Sequence, residues 1–102
     1  SNSMIQYEEN TIGWWLSQLN DPLKSKAFEL WDAEWYDGSR PITSMKTAIW
    51  AAFNWATTDD PKFWCGVHNF FEGQGRRANN RDGVREGWDM AKQCSPTRFE
   101  KS

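Results

Sequence analysis

Cysteine is scarce in this chain: Cys65 and Cys94 are the only two in 102 residues. Two thiols make no disulfide framework, so both read as free, as in a reducing compartment. Long apolar runs are missing as well. No stretch approaches the roughly 20 residues that cross a bilayer, and the N-terminus lacks the basic, apolar, small-residue order of a secretory signal. The chain is therefore expected in the cytoplasm, with no membrane partner. No segment alternates apolar and polar residues with period two for long enough to make a convincing strand, which argues against a sheet. Leucine, isoleucine and valine are few, and there is neither an internal repeat nor a low-complexity block.

Aromatic residues fill the gap. They make up 16% of the chain, with eight tryptophans. Each buried ring removes on the order of 150 to 250 Å² from water, so a handful can stabilise a domain that has few leucines. A chain of this length forms one domain with one modest core. Residues 4–94 are expected to form it, with Ser1 to Ser3 ahead of Met4 read as a remnant of cloning and residues 95–102 as a loose tail. The net charge of −2 hides an asymmetry. Residues 1–60 carry nine acids against four bases, and residues 61–102 carry eight bases against five acids. Such a dipole bears on association and solubility rather than on fold.

The punctuation is helical. Asp21-Pro22 and Asp59-Asp60-Pro61 each suggest an Asp cap with proline at the first helical position. Ahead of the first, Ile12, Trp15, Leu16 and Leu19 recur at helical spacing, with Thr11 or Asn10 as cap. A second helix is expected from Pro22 to about Tyr36, burying Leu23, Ala27, Leu30 and Trp31 and stopping at Gly38 and Pro41. The third carries the clearest stripe: Met45, Ala48, Ile49, Ala52, Phe53 and Ala56, capped by Thr43 or Ser44. The fourth buries Phe63, Trp64, Val67, Phe70 and Phe71 and ends at Gly73. The segment Gly73 to Arg81 reads as a polar loop. A fifth, weaker helix from Asp82 to Gln93 presents Val84, Trp88 and Ala91, and Gly83 and Gly87 should each cost it about 1 kcal/mol relative to alanine. The expected fold is all-α: a compact single-domain bundle of four to five short helices with an aromatic-rich core.

Two tryptophans do not fit their stripes. On the third helix Trp50 lies about 130° from the stripe centre, with Lys46, Asn54 and Thr57, while Trp55 is a flank residue. On the first helix Trp14 lies opposite the apolar face. Either the bundle wraps these indoles on a second side, or Trp14 and Trp50 form an apolar contact patch, tryptophan being enriched at binding hot spots. Arg76, Arg77, Arg81 and Arg85 are candidates to contact an acidic protein face or nucleic acid. Against that, Asp82, Glu86 and Asp89 interleave with them, and Arg85 with Asp89 makes an ordinary i,i+4 pair.

Chemistry is otherwise thin. Cys65, His68 and Glu72 share the outer face of the fourth helix, and Cys-x-x-His is half of a zinc spacing. A second tight pair is missing and Cys94 stands alone, so no metal or other cofactor is expected. The glycines and arginines after Gly73 lack the lysine and hydroxyl of a P-loop. No pair of carboxylates is selected for acid and base work. The chain is expected not to be an enzyme.

Taken together, "WWLSQL", "PLKSKAFEL", "SMKTAIWAAFNWATT" and "FWCGVH" resemble a group of small uncharacterised proteins from tailed bacteriophages. These share a W-x-x-x-L start, a Pro and Ala in the next helix, an A-x-x-x-A-F-x-W segment followed by Thr, and a closing F-W pair. The likeness runs from Trp14 to about His68, roughly half the chain. It implies a small non-enzymatic protein acting in the host cytoplasm by binding and modulating a host or defence protein. It carries over no catalytic or binding residues. A nucleic-acid-binding accessory role through the arginines is the alternative, and self-association through the aromatic patch stays open.

Overall fold

The structure is a computed structural model, and it describes residues 6–31, 39–55 and 60–96. Among these are five α-helices and no strand, as expected. They are α1 (Ile12–Ser17), α2 (Leu23–Leu30), α3 (Met45–Trp55), α4 (Pro61–Phe71) and α5 (Val84–Cys94), with a 3-10 turn, Arg76–Ala78, between the last two. No helix is long and apolar enough to cross a membrane among the described residues.

Three helices, α1, α3 and α4, start where a side chain replaces the missing backbone acceptor. Thr11 caps α1 by accepting from the Trp14 amide. Ser44 accepts from the Thr47 amide ahead of α3 at 3.4 Å, and Asp60 accepts from the Phe63 amide at 3.2 Å with Pro61 following. Asp21 behaves differently from the expectation. Its peptide bond to Pro22 is cis, the helix begins at Leu23, and Pro22 stands just outside it. The Asp21 carboxylate still serves the first turn, accepting from the Ser25 amide at 3.0 Å and the Ser25 hydroxyl at 2.7 Å. These bonds hold its pKa below the ordinary value.

The second helix is shorter than its periodicity suggests. It ends at Leu30, and Trp31 turns extended, with φ −104° and ψ 102°. That turn sends the indole into the core, 1% exposed, between the rings of Tyr7 and Phe28 at 6.2 and 5.9 Å. Burial of a tryptophan outweighs the modest propensity that would have carried the helix onward. Leu30, expected inside, is only half-buried. The rest of the expected span, the Gly38 stop, the Ala56 end of the third stripe and the Trp55 side chain lie outside the described residues.

Leu16, Leu19, Leu23, Ala27, Trp31, Met45, Ala48, Ile49, Ala52, Trp64, Val67 and Ala91 are each 2% exposed or less and form one cluster. A ring buried here contributes about 4 to 6 kcal/mol of gross transfer energy before entropy is counted. Two short backbone ties close the bundle. Thr11 and Pro41 form an isolated antiparallel bridge, with the Ile12 amide donating to the Arg40 carbonyl at 3.2 Å and the Ile42 amide to that of Asn10 at 2.8 Å. At the other end the Asn20 amide donates to the Cys94 carbonyl at 2.9 Å. Ser95, expected to open the tail, is buried and follows α5 as its cap.

The fifth helix corrects the reading of its glycines. It begins at Val84, so Gly83 lies outside it at φ +83°, where its amide donates to Glu86 Oε1 at 2.7 Å. Gly87 is inside, and it is the point of closest approach to α4. A Cβ there would overlap the Phe63 carbonyl oxygen, and a Cβ at Gly66 would overlap that of Val84 and stand 2.7 Å from the Trp88 nitrogen. The two helices therefore cross backbone against backbone. The propensity penalty of Gly87 is offset by packing that no larger residue permits.

Candidate functional site

Trp50 points away from the buried stripe of α3 as its position on the helical wheel predicts. It is 41% exposed, the one large apolar side chain left exposed among the described residues. Lys46 and Asn54 share its exposed face. The indole is not loose. It stacks on Phe53 with centroids 5.0 Å apart and 25° between planes, and it lies 4.6 Å from the imidazole of His68 on α4.

His68, expected on the outer face of the fourth helix, is largely covered in the fold. Its Nε2 lies 3.4 Å from Glu72 Oε2, with 18% of the His68 side chain exposed. The second oxygen of the same carboxylate, Oε1, lies 3.3 Å from Lys46 Nζ. Burial pushes the His68 pKa below its ordinary value, and Lys46 acts in the same direction. Glu72 lifts it, but less than burial lowers it. The result is a small surface unit: an exposed indole seated on Phe53 and His68, edged by a Lys46–Glu72 pair.

Trp14 follows the first of the two alternatives, cover on a second side of its helix. It is half-buried and packs against the core margin, edge-on to Trp15 with centroids 4.8 Å apart. An indole is large enough to reach cover from the far side of a six-residue helix in a small bundle. Trp14 and Trp50 therefore do not stand as a matched pair of free indoles.

The four arginines divide. Arg76 grips Asp89 with two bonds, Nε to Oδ1 at 2.9 Å and Nη2 to Oδ2 at 3.2 Å, so Asp89 is the partner of Arg76 rather than of Arg85 as its spacing suggested. Arg85 instead donates to the backbone carbonyls of Asn79 at 2.9 Å and Arg76 at 3.3 Å. Both fasten the α4–α5 connection. Arg77 and Arg81 are exposed. The connection hides one residue that sequence patterning passed over. Asn79 is 1% exposed, accepts from Asn69 Nδ2 at 2.7 Å and donates to the Gly75 carbonyl at 2.8 Å.

The thiols do not converge on His68 and Glu72 as a ligand set. Cys65 is half-buried with Asn69 Nδ2 at 3.9 Å, and Cys94 is buried with its Sγ 3.6 Å from Met90 Sδ. Among the described residues no group of three or more His, Cys, Asp or Glu side chains could hold a metal. A shallow groove of about 400 Å³ lies between α2, α4 and α5, lined by Leu23, Phe63 and Met90 with Lys26 and Glu29. The Lys26 ammonium lies 5.1 Å from the centre of the Phe63 ring. One charge of each sign at its rim selects no class of ligand.

Comparison with protein families, with curated proteins and with solved structures finds no match.

Proposed function

We propose that this chain is a small non-enzymatic binding protein that engages a protein partner through the surface centred on Trp50. The carrying observation is that, among the described residues, one indole is left exposed while most large apolar side chains are buried. It is also braced from below by Phe53 and His68, which limits the side-chain entropy lost on contact. A rigid, exposed tryptophan is the residue type most often found carrying binding energy. The likeness to small tailed-bacteriophage proteins supports a host-cell or defence protein as the partner.

The nucleic-acid reading keeps Arg77 and Arg81 but has lost Arg76 and Arg85 to structural bonds. Capture from bacterial lysate with wild type, Trp50→Ala and the double variant Arg77→Ala, Arg81→Ala separates the two. The protein-contact reading expects Trp50→Ala to weaken a retained partner by about 2 kcal/mol, roughly thirtyfold, while the arginine variant binds normally. Equal retention of every partner by Trp50→Ala overturns it.

A further inference from the structure

His68 is the chain's single histidine, and its imidazole lies beneath the Trp50 indole. From α3 it is faced by Trp50 and Lys46. From its own helix it is faced by Glu72 and Asn69, with Cys65 one turn before. Lys46 and Glu72 are the charges that act on it among the described residues. Glu72 is also divided, one oxygen toward each cation. An imidazolium formed here has half of a carboxylate and whatever water reaches past the indole.

We propose that Trp50 and His68 form a proton-coupled contact, in which covering the indole displaces the proton from His68, so that acid weakens whatever seats on Trp50. The binding consequence rests on the reading of Trp50 as the contact residue; the coupling between the rings does not. Its basis is desolvation. The charged ring needs water or a full counter-charge, and a partner on Trp50 removes the first without supplying the second. Burial already favours the neutral ring in the free protein. Further cover extends that effect in the same direction. The sign follows from linkage: the covered state binds protons less readily than the uncovered one. Binding is therefore full while His68 is neutral and is lost as pH falls through the free protein's own His68 titration, which burial places below the ordinary histidine value. Each unit by which cover lowers the His68 titration weakens acid binding by about tenfold. Folding stability changes in the same sense, full at neutral pH and reduced once the unfolded chain's histidine takes up a proton that the folded one resists.

A lone histidine makes the test direct, because its ring proton resonance followed by NMR against pH reports one site. In the free protein Trp50→Ala should move the His68 midpoint upward, Trp50→Phe should move it less, and Glu72→Gln should move it downward. No movement in Trp50→Ala, or a downward one from a lost attraction between indole and imidazolium, overturns the coupling. For the covered state, single-domain antibodies selected to bind wild type but not Trp50→Ala serve as probes. Their affinity should hold at about pH 7.5 and then fall from about pH 6.5 down to about pH 4 more steeply for wild type than for His68→Gln; wild-type and His68→Gln profiles that coincide across several such binders overturn the proposal. Neither arm uses the natural partner. A failed lysate capture therefore refutes the contact reading alone, and a failed titration refutes the ring coupling alone.

Discussion

The two halves of this molecule are held together by opposite means. In α4 and α5 the helices touch through Gly66 and Gly87, so the fit is between backbones, and the connection is fastened by Asn79, Arg76 and Arg85. Around α1, α2 and α3 the fit is between rings and aliphatic side chains, with Tyr7, Phe28 and Trp31 leaning on one another at 5.9 to 6.4 Å. Side chains can shift to absorb an error. Crossed backbones cannot, so the glycine half should be the less forgiving of added volume and the aromatic half the less forgiving of lost volume.

Substitutions in each half test that contrast. The largest effect belongs to Trp31→Ala, which empties a fully buried site and should cost about 3 to 5 kcal/mol in urea unfolding. Next come Gly66→Ala and Gly87→Ala, at about 1 to 3 kcal/mol for a single added methyl. Gly13→Ala is the control from the other half. Its Cβ would overlap the Tyr7 ring rather than backbone, and a half-buried ring can swing aside where a crossed backbone cannot, so it should cost less, and equal losses at Gly13 and Gly66 would erase the distinction. Asn79→Ala follows at about 1 to 2 kcal/mol, since it strips Asn69 and the Gly75 carbonyl of a buried partner; Asn79→Asp keeps the acceptor toward Asn69 but sets a buried carboxylate oxygen against the Gly75 carbonyl, so it should recover none of the loss at neutral pH. The smallest effect is that of Trp50→Ala, about 1 kcal/mol, because 41% of the residue is already exposed and its covered side rests on the rings of Phe53 and His68, which can close partly over the gap. A loss as large as that of Trp31→Ala would assign Trp50 to the core and remove the proposed contact surface.

These contrasts also mark what the sequence made readable. Periodicity located the buried stripes of α1, α3 and α4, since Met45, Ala48, Ile49 and Ala52 repeat with the turn of a helix regardless of what covers them; Phe53, Phe70 and Phe71, expected inside, are only half-buried at the stripe margins. The same geometry set Trp50 outside, and there the fold agrees. It failed where a side chain's fate depends on a distant neighbour. Trp31 leaves its helix for Tyr7, Trp14 finds cover at the edge of the core, and His68 is covered by an indole from another helix. Asn79 carries no local mark of burial, because its partners Asn69 and Gly75 become partners only once the connection folds. Two adjacent helical segments each carry an interior glycine, Gly66 and Gly87, and a glycine kept inside a helix commonly marks close approach.

The glycine crossing sets how the molecule opens. With no side chain standing between α4 and α5 at that point, there is no compliant layer to yield by degrees, and the pair parts all at once or not at all. Partial opening is left to the perimeter, at the bridge between Thr11 and Pro41 and the clasp from Asn20 to Cys94. Slow amide hydrogen exchange should accordingly be concentrated in α4 and α5, with the faster sites spread around their rim.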